Sequence, residues 1–172
     1  KTLPKVFESL LKQSFKDFIW IILDDGSTDN TTEVVENFQL FNPFFEIIYK
    51  KDKNRHKFLT VLEGVKMVKT PYFMVVDSDD IYPEDALETL ISEVEKIENQ
   101  DNYVAVMGLS ADENGKIVGN QYPNNGFDGS IFEMRYKHKV RGDKFGIFIT
   151  KTYQREISGK DFSQYEGKGY IP

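Results

Sequence analysis

The sequence has no cysteine and only two histidines, His56 and His138, among its 172 residues. Without thiols the protein cannot contain disulfides, iron–sulfur clusters or zinc sites that use cysteine ligands. Two histidines are also too few for a histidine-rich metal site. These absences exclude the disulfide-stabilised proteins and the thiolate metalloproteins.

Positive charge and long apolar runs are also scarce. The 22 Lys and Arg residues are outnumbered by 28 Asp and Glu residues, which gives a net charge of −6 and a pI near 5.0. That balance argues against a general nucleic-acid-binding protein. The longest apolar run, residues 18–23, is far shorter than the ~20 residues that a membrane-spanning helix needs. We therefore expect a globular domain without a transmembrane segment.

Apolar periodicity predicts helices that alternate with strands. Apolar residues three and four positions apart predict helices over residues 3–14, 29–38, 57–68 and 83–98. Continuous or alternating apolar residues predict strands over residues 18–23, 45–49, 72–76, 103–109 and 145–150. Because this alternation is typical of parallel strands with helices on both faces, we expect an α/β fold.

Two of the predicted strands end in carboxylates, one in Asp24 and Asp25 and the other in Asp77, Asp79 and Asp80. Ligands bind beyond the carboxyl ends of the strands in open parallel sheets. Asp77 and Asp79 are two residues apart, so an extended backbone points both side chains the same way, as a site for Mg²⁺ or Mn²⁺ requires. The alternative is a polar loop that caps the next helix, and Asp80 fits that role.

Two other stretches have both a binding and a structural interpretation. Asp25 either accepts a hydrogen bond from a nucleobase N–H or a sugar hydroxyl, or it is a turn residue. The tetrapeptide Asn54-Arg55-His56-Lys57 precedes a predicted helix, where it either contacts phosphates or forms a solvated helix start. The basic residues between 135 and 144 likewise form either a solvated face or a contact for phosphate or acceptor.

The combination of DDGSTDNT at residues 24–31 with DSDD at residues 77–80 resembles the inverting family 2 glycosyltransferases of the GT-A fold. The segment from Ser9 to Phe18 also resembles the first helix of that family. The resemblance implies a Rossmann-like, mostly parallel sheet flanked by helices, with a small irregular C-terminal region on the acceptor side. It further implies one catalytic domain over residues 1–172, with a nucleotide-binding half at 1–110 and an acceptor-side region at 111–172.

The family resemblance also implies an activity. It is the transfer of a sugar from a nucleotide diphosphate, with a UDP-sugar favoured, to a saccharide or lipid-linked acceptor in bacterial polysaccharide biosynthesis. Mg²⁺ or Mn²⁺ would be the cofactor. The implied location is the cytoplasm, which can include peripheral association with the inner face of the membrane.

Site residues follow from the same resemblance. Asp25 would contact the base, and Asn54 and Lys57 would help to hold the nucleotide. Asp77 would reach the ribose and the metal-bound diphosphate, with Asp79 as the main metal ligand. The sequence departs from the family pattern where Arg55 and His56 replace small glycines and Leu62 replaces a frequent asparagine.

Two parts of the family pattern are expected outside these residues. A first strand with a Tyr-Asn tip would precede Lys1, and the acidic catalytic base would follow Pro172. Asp143 is the best candidate for the base within the sequence, or it lines the sugar pocket instead. With both parts outside, we expect residues 1–172 to bind donor weakly and to transfer sugar slowly or not at all.

Two alternatives remain open at this point. One is a response-regulator receiver, in which Asp77 accepts a phosphoryl group beside the acid pair Asp24/Asp25, with Ser110 and Lys151 in the remaining roles. The helix that precedes the acid pair and the long gap between Ser110 and Lys151 argue against it. The other is a fragment that binds nucleotide without catalysing transfer.

Overall fold

The computed structural model describes residues 2–124 and 126–166, and within them the chain forms five α-helices and five strands. In chain order these are α1 (Leu3–Lys12), β1 (Ile19–Asp24), α2 (Thr31–Phe41), β2 (Glu46–Lys51), α3 (Lys57–Met67), β3 (Tyr72–Met74), α4 (Ala86–Glu95), β4 (Ala105–Leu109), β5 (Lys144–Ile149) and α5 (Thr150–Ile157). All the helices and strands predicted from periodicity are present. The helix α5 was not predicted. Thr150 was placed at the end of the preceding strand, and residues 151–157 were assigned to no helix or strand.

Strands β1 and β2 pair in parallel, in register from Ile19 opposite Glu46 to Asp24 opposite Lys51. Alternate residues of β1 face opposite sides of the sheet. Trp20 and Ile22 join the core that α1 and α2 complete, while Leu23 packs against Gly64 of α3 on the other side. The predicted parallel pairing with helices on both faces is therefore confirmed for this part of the chain.

The other three strands form a sheet in the order β3-β5-β4, and both of its pairings are antiparallel. The alternation of helices and strands did not predict these antiparallel pairs, which arise because β5 returns between β3 and β4 in the opposite direction. Its alternation buries Ile147 and Ile149 against Leu90 and Val94 of α4, so β5 has the pattern of a central strand. Strands β3 and β4 still run in the same direction as each other.

A buried glutamine fixes the start of α4 and with it the end of the acidic segment 77–80. Gln13 is 1% exposed, and its Nε2 donates to the carbonyl of Pro83 at 2.7 Å. Its Oε1 accepts from the backbone N–H of Leu87 at 3.1 Å. Tyr82, also buried, packs on the ring of Phe145 with the ring centroids 4.3 Å apart. The loop between β3 and α4 is thus anchored at its C-terminal end by α1 and β5.

Among the described residues, no helix combines the length and the apolar character that crossing a bilayer would require.

Candidate functional site

The two carboxylates at the end of β1 differ in role: Asp24 is structural and Asp25 is accessible. Asp24 is buried, and its two oxygens accept hydrogen bonds at 2.6 Å from the Ser27 N–H and from the Tyr49 hydroxyl. Burial alone would raise the pKa of Asp24, but these hydrogen bonds, together with the charge of Lys51, outweigh it and lower the pKa. Asp24 therefore holds the turn after β1.

Asp25 is the second carboxylate of the pair and faces α3. Its Oδ1 accepts from the Arg55 N–H and from the Thr60 hydroxyl, both at 2.7 Å. Its Oδ2 makes no hydrogen bond to any of the described residues, so one carboxylate oxygen remains available to a ligand. Thr60 was not among the residues predicted from the sequence, although it lies three residues after Lys57 and therefore on the same helix face.

Gly26 brings the turn after β1 against the segment that precedes α3. It has a φ of +89°, and a Cβ built on it would lie 2.8 Å from the backbone nitrogen of Asn54. Only glycine allows both this conformation and this approach at low cost. The Oδ1 of Asn54 accepts from the His56 N–H at 3.2 Å, so here the exposed Asn54 side chain orders its own loop. Sequence motifs 24–31 and 54–57 thus meet at one place.

His56 is strained at the start of α3. Its backbone has φ 67° and ψ 149°, close to a region that is essentially restricted to glycine. Strain of this kind typically costs about 1–3 kcal/mol and clusters at functional sites. The position is the one where the family resemblance expects a small residue.

We expect His56→Gly to raise the free energy of unfolding by about 1 kcal/mol, since relief of the strain exceeds the entropic cost of a glycine. Urea denaturation measures the change. His56→Ala is the matched control, because it removes the imidazole but keeps the Cβ that causes the strain, and it should give no gain. Equal stability of the two variants would show that the backbone at residue 56 is unstrained.

The loop after β3 places the second group of carboxylates beside α3. Lys57, in the first turn of α3, forms an ion pair with the Oδ2 of Asp77. Asp79 is exposed and forms no hydrogen bond or ion pair with any part of the chain that the structure describes. Asp25 and Asp77 thus each contact the start of α3. Asp79 is exposed in a turn that the Asp80 N–H closes on the Asp77 carbonyl at 3.2 Å, so the expectation of an extended backbone from Asp77 to Asp79 is wrong.

Negative charge accumulates around Asp80. Partial loss of hydration raises the pKa of Asp80, and the charges of Asp77 and Asp79 raise it further, against the opposing effect of Lys57. Asp143 adds a smaller repulsion, so this acid of the C-terminal segment lies within electrostatic range of the loop. We refer to Asp77, Asp79, Asp80 and Asp143 as the acidic cluster. A cation would relieve the repulsion within it.

The donor set of the acidic cluster fits a cation that shares its ligands with a substrate. Within residues 2–124 and 126–166, no three His, Cys, Asp or Glu side chains are grouped closely enough to hold a metal ion by themselves. Mg²⁺ is usually bound by only one or two carboxylates together with waters and substrate phosphates. Asp77 and Asp79 could supply that number of carboxylates.

A family model described as glycosyl transferase family 2 matches residues 1–160 of the sequence. The chain belongs to this family. The match covers both acidic motifs, the segment 54–57 and Asp143, so the resemblance that these motifs carried is confirmed.

Curated relatives are longer than this chain. It is 29% identical over 132 residues to the glycosyltransferase GlyG of Streptococcus pneumoniae, a match that covers 77% of this chain and 38% of GlyG. It is 25% identical over 167 residues to GalNAc(5)-diNAcBac-PP-undecaprenol beta-1,3-glucosyltransferase of Campylobacter jejuni, covering 93% of this chain and 51% of that enzyme. The family 2 chain thus spans about half or less of the length of these relatives.

Solved structures show the same fold. The structure of S. aureus TarS 1–349 in complex with UDP matches 90% of this chain and 44% of the 1–349 segment, with a TM-score of 0.60 and 19% identity. A second structure of S. aureus TarS 1–349 matches 96% of this chain and 49% of that segment, with a TM-score of 0.62 and 18% identity. The predicted GT-A type α/β fold is confirmed by these matches.

The receiver alternative is not favoured. Lys151, which would have to approach the phosphoacceptor Asp77, lies in α5 and forms an ion pair with Asp101 at 2.8 Å. The lysine that contacts Asp77 is Lys57, which comes before Asp77 in the chain rather than after it. The strand that would carry the receiver lysine, β5, is also antiparallel to its neighbours.

Proposed function

We propose that this family 2 chain binds a nucleotide-diphosphate sugar, with UDP as the nucleotide, and takes part in transferring the sugar to a saccharide or lipid-linked acceptor. The observation that carries the proposal is that three groups lie at the first turns of α3: the Lys57 ammonium, the Asp77 carboxylate and the Asp25 Oδ2, which no described residue hydrogen-bonds. The UDP bound by the similar TarS and the undecaprenol-linked acceptor in the name of the Campylobacter relative support it.

Each group has a role that suits its chemistry. The Asp25 Oδ2 would accept a hydrogen bond from the N–H of a pyrimidine base, because an ionised carboxylate can only accept hydrogen bonds. Asn54 would lie on the nucleotide side of the same loop. Lys57 would move from Asp77 to a phosphate oxygen and neutralise part of the diphosphate.

Asp77 and Asp79 would hold Mg²⁺ or Mn²⁺, and the bound cation would supply positive charge to the departing diphosphate. Asp77 would also reach the ribose hydroxyls. This arrangement explains how a chain with a net charge of −6 could hold an anionic donor, since the cation and Lys57 both offset negative charge.

Transfer with inversion also needs a carboxylate that takes the proton of the acceptor hydroxyl as its oxygen bonds to the anomeric carbon and the bond to the diphosphate oxygen breaks. Among the described residues, Asp143 is the candidate for this base, because it lies in the acceptor-side region and within electrostatic range of the acidic loop. In a bacterium the acceptor would belong to polysaccharide biosynthesis, as the curated relatives indicate.

Isothermal calorimetry with UDP in the presence and absence of Mn²⁺ tests the proposal. Asp79→Asn keeps the size of the side chain and removes its charge, so we expect Mn²⁺-dependent binding of UDP to weaken at least about tenfold, or about 1.4 kcal/mol. Asp17→Asn is the matched control, since Asp17 is also an exposed aspartate without a partner among the described residues. The metal assignment fails if Asp79→Asn binds UDP and Mn²⁺ as the unmodified chain does.

A further inference from the structure

Three large apolar side chains are exposed together in the segment before β5. Ile131, Phe132 and Tyr136 are 63%, 70% and 69% exposed. The rings of Phe132 and Tyr136 stack on each other, with centroids 6.2 Å apart, and no other ring contact of either is found among the described residues. We call these three residues the apolar patch. Proteins rarely leave such a group exposed unless it meets a partner.

A π-helical turn places the three residues of the apolar patch on one face. Residues Glu133–Lys137 form a π-helix, and the His138 N–H donates to the Glu133 carbonyl five residues earlier at 3.1 Å. Because this hydrogen bonding widens the turn, residues four and five apart share a face, which aligns Tyr136 with both Phe132 and Ile131. Val140, which is buried and whose N–H donates to the Met134 carbonyl at 3.1 Å, anchors the end of the segment.

The surroundings of the patch are basic in an acidic protein. Residues 131–144 contain five Lys or Arg and two Asp or Glu, a local charge of +3 against −6 for the whole chain. Arg135, Lys139 and Arg141 are exposed and form no ion pair with any residue among those the structure describes. Three cations therefore flank the exposed rings with their charge available.

We infer that the apolar patch and its flanking cations dock this protein on the surface of an anionic lipid bilayer. Apolar and aromatic side chains that insert at the headgroup level beside Lys and Arg are the combination that peripheral membrane segments use. Each Lys or Arg near an anionic surface adds to the attraction. A saccharide partner would account for the two rings but not for the aliphatic Ile131 or the unpaired cations.

The charge pattern also separates this patch from another exposed apolar pair. Leu40 and Phe41, at the end of α2, are 74% and 73% exposed. Residues 33–46 around them contain three glutamates and no Lys or Arg. That pair would be repelled by an anionic surface, so it serves as a control of equal apolarity and opposite charge.

Tryptophan fluorescence tests the docking. The sequence contains one tryptophan, the buried Trp20, so Phe132→Trp introduces a reporter that is easily distinguished. On vesicles of phosphatidylglycerol and phosphatidylcholine in equal amounts, its emission should shift to the blue and be quenched by brominated acyl chains. On pure phosphatidylcholine the shift should be far smaller. Phe41→Trp should respond to neither vesicle.

Vesicle flotation measures the contribution of each group. Phe132→Ser with Tyr136→Ser, and separately Arg135→Gln with Lys139→Gln and Arg141→Gln, should each lower binding to the anionic vesicles about tenfold or more. Leu40→Ser with Phe41→Ser should leave it unchanged. The ring variant should still bind UDP as before, which separates this inference from the proposed function.

The inference is overturned if the unmodified chain does not float with the anionic vesicles. It is equally overturned if the patch variants instead abolish self-association in sedimentation velocity, or binding to a soluble oligosaccharide, while vesicle binding stays unchanged. The melting temperature of each variant confirms that it is folded.

Discussion

Asp25→Ala should raise the dissociation constant of UDP about 10- to 100-fold. A hydrogen bond to a charged group contributes about 1.5–3 kcal/mol, and the variant removes the carboxylate that would accept the base N–H. It also removes the acceptor for the Arg55 N–H and the Thr60 hydroxyl, which fix the loop before α3. Calorimetry with UDP and Mn²⁺ measures the loss.

Thr60→Val is the matched control for this loss, because it removes one partner of the Asp25 carboxylate but leaves the carboxylate itself. It should weaken UDP binding much less than Asp25→Ala does. If Asp25→Ala binds UDP normally and only melts at a lower temperature, Asp25 is a turn residue and has no part in nucleotide recognition.

Asp24→Asn should lower the free energy of unfolding by about 3 kcal/mol at pH 7. The asparagine amide has one acceptor oxygen where the carboxylate has two. Its NH₂ group therefore faces either the Tyr49 hydroxyl or the Ser27 N–H, and that donor loses its acceptor. A hydrogen bond to a charged group is worth about 1.5–3 kcal/mol, and a buried donor left without an acceptor adds its desolvation cost. Tyr49→Phe removes only one of the two hydrogen bonds and should cost about half as much.

The effect of Asp24→Asn should depend on pH in a definite direction. Since the folded protein lowers the pKa of Asp24, its carboxylate stabilises the fold above the pKa of the unfolded chain, about 3.9. This contribution is lost as the pH falls below that value through the folded pKa. The difference between the two proteins in urea denaturation should therefore be full at pH 7 and shrink below about pH 4; a constant difference would refute the assignment.

Sequence patterns predicted where the acidic segments lie but not what each side chain does. The acid pair and the DSDD loop were expected at strand ends and the segment 54–57 before a helix, and the structure has Asp25 and Asp77 each in contact with the start of α3. The different roles of Asp24 and Asp25 depend on what lies across the sheet, namely Tyr49 of β2 and Thr60 of α3. Neither partner is visible in the local spacing of the acids.

Apolar periodicity also could not predict the direction of β5. Alternation showed that residues 145–150 form a strand, but it carries no information on which neighbours the strand pairs with. The long segment between β4 and β5 allows the chain to return from either side. Likewise, the π-helix at Glu133–Lys137 depends on hydrogen bonds five residues apart, which no common sequence pattern signals.

In the proposed site, Lys57 would compete with a divalent cation for the Asp77 carboxylate. The Lys57 ammonium pairs with the Asp77 carboxylate, which a divalent cation at the proposed site would need as a ligand. A cation arriving alone must displace Lys57, whereas a cation arriving with a diphosphate offers the ammonium a new counter-charge. Metal and nucleotide would then strengthen each other's binding by the same factor, as thermodynamic linkage requires. If the proposed function holds, Lys57 would favour binding of the complete donor together with its cation over binding of either one alone.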